Sequence, residues 1–310
     1  MKKLFTALII SFIHFVAGAQ QKPNIIFILA DDMGYGDLSS YGGEIPTPNI
    51  DRIGAKGIRF TDFYVASPVC TPSRFGLLTG RYHYHSKHNL TDVLMPGDKG
   101  YLDSSEYTIA HYLQQQNYKT GMVGKWHLGM ETPATRPTDY GFDYFTGMMG
   151  GCVDYFKHSY GAMGADWYVN DQPKYEKGYS TDLLTNYAIN FIHSVSKQQP
   201  FFLYLAYNAP HYGKIDADSI EPYTLSLMPT NYKASKNINT LQVPEKYLKR
   251  VASITNPYRR AYAAMVVELD DNIGRLIKYL EKKILLDNTI MVHLGQRGIF
   301  EELLCTCKQW

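Results

Sequence analysis

The chain contains few cysteines, four in 310 residues, at Cys70, Cys152, Cys305 and Cys307. Two of them lie within the last six residues, and the four spacings form no recognisable disulfide framework. A disulfide-stabilised scaffold is therefore a poor explanation for Cys70. One alternative is that Cys70 is simply a small buried apolar residue.

The sequence also lacks an excess of charge of either sign. It has 31 Lys and Arg against 29 Asp and Glu, for a net charge of +2. This balance gives neither the basic surface of a nucleic-acid-binding protein nor an acidic tail. After the first 20 residues no segment has the roughly 20 consecutive apolar residues that a membrane span needs. We therefore expect no nucleic-acid partner and no stable membrane insertion.

Residues 1–19 have the pattern of a secretory signal peptide. Lys2 and Lys3 precede a short apolar core from Leu4 to Val16, and Ala17–Ala19 is a small-residue cleavage pattern before Gln20. The alternative is an N-terminal anchor. We expect an exported protein, either periplasmic or extracellular.

The rest of the chain alternates between strand-like and helical patterns. An unbroken apolar run from Ile25 to Ala30 is typical of a buried parallel strand. Two later segments, Leu183–Val195 and Tyr262–Leu280, carry apolar residues at helical spacing, and each precedes another apolar run. This order predicts an α/β protein with a largely parallel central sheet flanked by helices. Residues 213–258 form a polar insertion rich in Pro and Asn.

Several chemically useful side chains follow predicted strands. Asp31 and Asp32 end the first strand, Lys125 and His127 follow another, and His211 follows a third. Taken singly, an Asp pair is usually a turn, and one His is usually a core or surface group. Ligands of open α/β sheets bind outside the carboxyl ends of the strands. The shared position therefore predicts that these side chains converge on one site.

The segment Cys70–Arg74 with Leu78–Arg81 resembles the sulfatase signature, Cys-x-Pro-Ser-Arg followed by a Leu-Thr-Gly helix. The Asp pair at residues 31 and 32, the segment Gly124–Gly129 and the strand-end pair Pro210–His211 also match that family in order and spacing. The resemblance looks closest to secreted members that act on sulfated sugars.

This resemblance runs from about residue 23 to about residue 292. It implies that residues 20–292 form an alkaline phosphatase-like sulfatase N-terminal domain. It implies that a formylglycine-generating maturase oxidises Cys70 to formylglycine, an aldehyde. One hydroxyl of the hydrated aldehyde attacks sulfur, and the second expels sulfate. A serine could attack but could not eliminate in this way, which explains a cysteine at this position. The implied substrates are sulfated carbohydrates or aryl sulfates.

The resemblance also implies a divalent cation, Ca²⁺ or Mg²⁺, held by Asp31, Asp32 and the residue made from Cys70. Carboxylate oxygens are the ligands that these hard cations prefer. Such an ion would neutralise sulfate charge and lower the pKa of the attacking hydroxyl.

The remaining implied roles concern binding and proton transfer. Arg74 steadies the formylglycine hydroxyls, and Lys125 contacts sulfate oxygens. His127 deprotonates the second hydroxyl, and His211 donates a proton to the leaving alcohol. Histidines suit such transfers near neutral pH.

The C-terminal segment departs from the family pattern. The family has Ser-Asp-Asn-Gly after the strand that follows the long helix, whereas this chain has no Asp and no Asn after Asn288. We expect that residues 293–310 are an atypical, frame-shifted tail, that the C-terminal part of the fold is missing, and that this chain is a weak or inactive sulfatase.

Two other functions stay open at this point. One is a phosphatase or phosphodiesterase of the same superfamily, although such enzymes use Ser or Thr where this chain has Cys70. The other is a non-catalytic protein that binds sulfated glycans, which the missing C-terminal ligands favour.

Overall fold

The computed structural model describes residues 21–131, 135–216, 224–226, 237–296 and 301–306. Twelve strands are found in this part of the chain: β1 Asn24–Asp31, β2 Ile58–Phe63, β3 Lys119–Lys125, β4 Tyr144–Met148, β5 Tyr168–Val169, β6 Gln172–Pro173, β7 Phe201–Pro210, β8 Gly213–Asp216, β9 Thr224–Ser226, β10 Asn237–Gln242, β11 Thr289–Gln296 and β12 Glu301–Thr306. The predicted signal peptide, residues 1–19, lies outside the described residues.

Within the described ranges, six α-helices connect or flank these strands. They are α1 Pro48–Ala55, α2 Cys70–Thr79, α3 Ile109–Gln115, α4 Ser180–Ser194, α5 Glu245–Arg250 and α6 Pro257–Lys282. No helix in the described part of the chain combines the length and the apolar character that crossing a membrane requires.

Nine strands form one mixed sheet in the order β2-β12-β11-β1-β7-β3-β4-β5-β6. The five central strands, from β11 to β4, are parallel, and β12, β5 and β6 add antiparallel pairs at the two edges. Every residue of β7 is buried, as expected for a central strand that is covered on both faces. The prediction of a largely parallel α/β sheet is confirmed.

The two faces of the sheet are covered by different helices. Ile26, Ile28 and Ala30 of β1 face the apolar residues of α4 and α6. Leu29 faces the opposite side, where it packs in one cluster with Phe75 of α2. Side chains alternate along a strand, so Asp31 projects to the same side as Leu29, toward α2.

The predicted insertion, residues 213–258, is more regular than its composition indicates. Strands β8, β10 and β9 form a separate three-stranded antiparallel sheet within it, and α5 follows. Leu241 and Tyr247 are buried in the same apolar cluster as α4 and α6. A few apolar side chains therefore anchor a segment that is polar on average.

The predicted boundary at residue 292 falls inside β11. This strand continues to Gln296 and pairs in parallel register with β1 as far as Asp31. His293 is fully buried, and β12 extends the sheet beyond β11 to β2. That the tail is out of frame stays a prediction.

His293 generates a testable pH dependence. Neither of its ring nitrogens has a hydrogen-bond partner among the described residues, and burial lowers its pKa to about 3. The unfolded chain takes up a proton near the ordinary pKa of 6.5, whereas the folded chain does not until about pH 3. As the pH is lowered from 6.5 toward 3, the free energy of unfolding therefore falls by about 1.4 kcal/mol per pH unit.

We expect His293→Leu to remove this loss. Between pH 7 and pH 5 the free energy of unfolding of the wild-type chain should therefore fall by about 2 kcal/mol more than that of the variant. Urea denaturation at both pH values measures it. The same change at the exposed His85 is the control. Identical pH slopes for His293→Leu and wild type would contradict the assignment.

Candidate functional site

The candidate site is built around the first turn of α2. Cys70 is the first residue of this helix and is half-buried, and Val69 before it is extended. Thr71 Oγ1 donates to the carbonyl of His127 at 3.1 Å and accepts from the backbone N–H of Leu94 at 3.2 Å. The start of α2 is thereby fixed to the loop after β3.

Three charged side chains are fully buried in or beside the start of this helix, and we call them the buried charge cluster: Asp31, Arg74 and Lys125. Lys125 Nζ donates to Asp31 Oδ2 at 2.5 Å. Arg74 Nη2 lies 3.5 Å from Asp31 Oδ1, and Arg74 Nη1 donates to the carbonyl of Lys125 at 2.6 Å. The cluster therefore joins β1, β3 and α2.

The charges within the cluster keep one another ionised. Burial alone raises the pKa of Asp31, but Lys125 and Arg74 overcome it and hold that pKa well below its usual range. Burial alone lowers the pKa of Lys125, but Asp31 and then Cys70 raise it above its usual value. Two cations and one carboxylate leave the cluster with a positive charge, which suits an anionic ligand.

His127 is buried with one defined tautomer. Its Nε2 lies 2.8 Å from the carbonyl of Leu94, and because a carbonyl only accepts, Nε2 carries the proton. Nδ1 is buried, without a hydrogen-bond partner in the described part of the chain. Burial and then Lys125 hold the pKa of His127 well below its usual value. His127 is therefore a neutral base at pH 7.

His211 has the opposite tautomer. Its Nδ1 donates to the carbonyl of Tyr212 at 2.8 Å, and its Nε2 lies 3.6 Å from Asp32 Oδ2. The pairing of β1 with β7 shifts between Ala30, opposite Tyr207, and Asp31, opposite Pro210, which brings His211 to the end of β1. Burial and Lys125 lower the pKa of His211, while Asp31 and Asp32 oppose that change.

Sequence reasoning overlooked Gln296, the last residue of β11. It is the register partner of Asp31, and its Nε2 donates to the carbonyls of Val69 and Cys70, each at 3.4 Å. Its position at a strand end was the available signal. The family pattern after this strand contains Asp and Asn, and a glutamine does not match it.

A hard divalent cation, which the family resemblance implies, would have to share Asp31 with Lys125 and Arg74. Asp31 Oδ1 is buried without a hydrogen-bond partner among the described residues, and Asp32 is next to it in the left-handed conformation, with φ at 63°. No group of three or more His, Cys, Asp or Glu side chains with the spacing of a metal centre occurs in the described ranges. The two carboxylates would therefore need other oxygens, and hard cations accept amide oxygens and water as well.

A cavity of about 530 Å³ lies next to this site, along α2. Arg74 and Gln296 line it together with apolar residues such as Leu29 and Leu294. Asp31, Lys125 and the two site histidines do not line it. The cavity is therefore separate from these four side chains, and we assign it no role in the chemistry.

Comparison with known proteins finds sulfatases. A family model described as Sulfatase matches residues 23–299. The chain is 34% identical over 291 residues to arylsulfatase J of Mus musculus, across 91% of this chain and 43% of that protein. It is 30% identical over 347 residues to N-acetylglucosamine-6-O-sulfatase of Bacteroides thetaiotaomicron, across 90% of this chain and 59% of that protein.

A solved structure is similar over the same range. The crystal structure of Ps i-CgsB in complex with k-i-k-neocarrahexaose has a TM-score of 0.76 and 32% identity, covering 92% of this chain and 66% of that chain. The chain spans about half the length of the curated relatives it matches.

The buried charge cluster makes a stability prediction. In Lys125→Met, Asp31 stays buried with only Arg74 at 3.5 Å, so we expect a loss of about 3 kcal/mol in the free energy of unfolding at pH 7. Urea denaturation in the presence of EDTA measures it. Adding Asp31→Asn should recover part of the loss, because the uncompensated charge is removed.

Lys119→Met is the matched control, on the same strand. Lys119 is partly exposed and pairs with Asp143 at 3.4 Å, so its removal should cost less than about 1 kcal/mol. Equal losses in the two lysine variants, or strict additivity with Asp31→Asn, would contradict the coupling.

Proposed function

Because the chain belongs to the sulfatase family, we propose that it hydrolyses sulfate esters of carbohydrates or aryl alcohols at the site around Cys70. One observation carries the proposal. Cys70 begins α2 beside the buried charge cluster, in which Arg74 Nε and Nη2 are buried donors without hydrogen-bond partners among the described residues. Buried donors that lack partners are costly unless a ligand satisfies them, and a sulfate ester supplies several acceptor oxygens.

The names of the relatives support a sulfated glycan as substrate. One similar protein is an N-acetylglucosamine-6-O-sulfatase, and one similar structure holds the oligosaccharide k-i-k-neocarrahexaose. Export to the periplasm or the extracellular space belongs to the same proposal, since the signal-peptide pattern of residues 1–19 would bring the protein to such substrates.

The nucleophile in this proposal is formylglycine, made from Cys70 by a maturase. When hydrated, the aldehyde supplies a hydroxyl that attacks sulfur and a second hydroxyl that permits release of sulfate. The position of Cys70 supports this role, because the free N–H groups and the dipole at the start of α2 favour a negatively charged ligand there.

Lys125 and Arg74 would bind the sulfate group. Lys125 Nζ carries three N–H donors, and the described residues take one of them, through Asp31 Oδ2. The other two can reach sulfate oxygens. Arg74 is held by the carbonyl of Lys125, so its Nε and Nη2 are fixed in orientation before a substrate binds. Nε has no hydrogen-bond partner among the described residues, and Nη2 lies 3.5 Å from Asp31 Oδ1. Such preorganised donors stabilise developing negative charge without reorganising.

The two histidines would move the protons. His127 is neutral, and its unprotonated Nδ1 can accept a proton from a hydroxyl of residue 70. His211 must be protonated on Nε2 to donate to the leaving alcohol, and Asp32 at 3.6 Å stabilises that charged form. The two rings therefore leave different nitrogens available, Nδ1 in His127 and Nε2 in His211, although burial and Lys125 lower both pKa values.

Asp31 and Asp32 would hold Ca²⁺ or Mg²⁺ together with the oxygens of residue 70. When bound, the cation neutralises sulfate charge and lowers the pKa of the hydroxyl. Asp31 fits this role because its Oδ1 is buried and accepts no hydrogen bond from the described residues.

Maturation and substrate class are tested together. In chain co-produced with a formylglycine-generating maturase, mass spectrometry of the peptide around Cys70 should detect the aldehyde, and an aryl sulfate should be hydrolysed faster than the matching aryl phosphate. Cys70→Ala should abolish turnover, whereas Cys152→Ala, at a buried cysteine outside α2, should leave the modification intact. An intact thiol after maturation, or preferred turnover of the phosphate, would refute the proposal.

A second prediction concerns His211. A general acid matters most when the alcohol leaves reluctantly. His211→Ala should therefore lower kcat on a sugar sulfate by roughly 100-fold and on an activated aryl sulfate by tenfold or less. His193→Ala, at an exposed histidine on α4, is the control. Equal losses on the two substrates would assign His211 to positioning instead.

A further inference from the structure

We propose that Lys214 binds a second anionic group on the carbohydrate, a carboxylate or another sulfate, next to the sulfate ester that is hydrolysed. The inference rests on the proposed function, because it adds a feature of the same substrate. Lys214 would select the carbohydrate and would take no part in the reaction of the ester.

Lys214 lies on β8, the strand that begins two residues after His211. A Cβ atom at Gly213 would lie 3.0 Å from the carbonyl oxygen of Val153 and 3.1 Å from the ring of the buried Tyr155, so Gly213 faces the interior. Successive residues of a strand face opposite sides. The side chain of Lys214 therefore points away from the interior, and it is only partly buried.

The ammonium group of Lys214 lies over the ring of Tyr160. Its Nζ is 4.7 Å from the ring centroid and 3.4 Å from the Tyr160 hydroxyl. The face of an aromatic ring attracts a cation but carries no net charge to neutralise it. Among the described residues, Lys214 forms no ion pair with a carboxylate. An ammonium group has three N–H donors, so two of them stay available to an anionic ligand.

The position of Tyr160 brings this charge close to the proposed base, His127. Gly150 and Gly151 follow β4 and separate the two rings. A Cβ atom at Gly150 would lie 3.1 Å from Tyr160 Cδ2, and one at Gly151 would lie 2.5 Å from His127 Cε1. Adjacent glycines therefore pack against the two rings, and Tyr160 with Lys214 borders the reaction centre.

The buried thiol of Cys152 lies near both this lysine and the buried charge cluster. Burial raises the pKa of Cys152, whereas Lys214 and then Lys125 act against that rise. Because the interaction of two charges weakens with distance, both ammonium groups must lie near this sulfur. Lys125 is the proposed ligand of the reacting sulfate. Lys214 is therefore close enough to Lys125 for one substrate to contact both.

The proposed reaction places the leaving sugar on the same side. His211 donates its proton to the leaving alcohol, so the sugar must lie against His211. The ring of Tyr212 packs on that of His211, with centroids 4.1 Å apart, and Lys214 is two residues further along. A carboxylate or second sulfate on this sugar would form a charge-assisted hydrogen bond with the ammonium group. A neutral sugar would leave the ammonium group without an anionic partner.

The test compares pairs of sulfated disaccharides that differ in one anionic group. In one pair the second member carries an additional sulfate, and in the other it carries the free carboxylate of a uronic acid in place of its methyl ester. Each disaccharide competes with para-nitrophenyl sulfate for the matured full-length chain. The charged member of at least one pair should inhibit roughly tenfold more strongly than its partner. The pair that shows this preference distinguishes sulfate from carboxylate.

Three variants test whether the preference depends on the charge at residue 214. Lys214→Met should remove it, and Lys214→Arg should keep most of it because the positive charge remains. Lys174→Met is the matched control and should keep it in full. Lys174 also lies over a tyrosine ring, 4.8 Å from the centroid of Tyr187, but it pairs with Glu176 at 2.9 Å.

Equal inhibition by the two members of every pair, or a preference that Lys214→Met leaves unchanged, would overturn the inference. Hydrolysis of para-nitrophenyl sulfate by the same preparations keeps the two conclusions apart. Hydrolysis without a preference removes only the role of Lys214. A chain that carries the aldehyde but does not hydrolyse the ester removes the proposed function, and calorimetric titration with the disaccharides then measures the preference of Lys214 directly.

Discussion

The buried carboxylate of Asp31 is the constraint on which the rest of the site depends. A charge without water is tolerated only when opposite charges and hydrogen bonds compensate it. Lys125 from β3 and Arg74 from α2 provide that compensation, and Arg74 in turn holds the backbone of Lys125. The position of α2 over the sheet is therefore fixed by electrostatics as well as by the apolar cluster around Phe75.

The parallel sheet explains how distant segments come together. The carboxyl ends of adjacent parallel strands meet at one edge, so β1, β3, β7 and β11 deliver Asp31, Lys125, His211 and Gln296 to the same place. Each of these residues lies at or directly after a strand end. The helix that begins at Cys70 then covers this edge with its N-terminal turn.

The same edge of the sheet holds two histidines that differ in their hydrogen bonds. His127 and His211 are both buried and both have lowered pKa values, mainly through burial and Lys125. They differ in which nitrogen a backbone carbonyl occupies, Nε2 in His127 and Nδ1 in His211. Nε2 of His211 lies 3.6 Å from Asp32 Oδ2. Backbone contacts therefore leave a different nitrogen available in each ring, which the residue type alone does not specify.

The sequence by itself determined the parallel α/β fold and the strand-end positions of Asp31, Lys125 and His211, because apolar periodicity and local turn preferences are properties of short segments. Only the tertiary structure decided the Asp31–Lys125 contact, the two tautomers and the position of Gln296. These depend on strand order and register, which join residues up to 265 positions apart, from Asp31 to Gln296. A local sequence pattern cannot predict such pairings, because they depend on how the whole sheet packs.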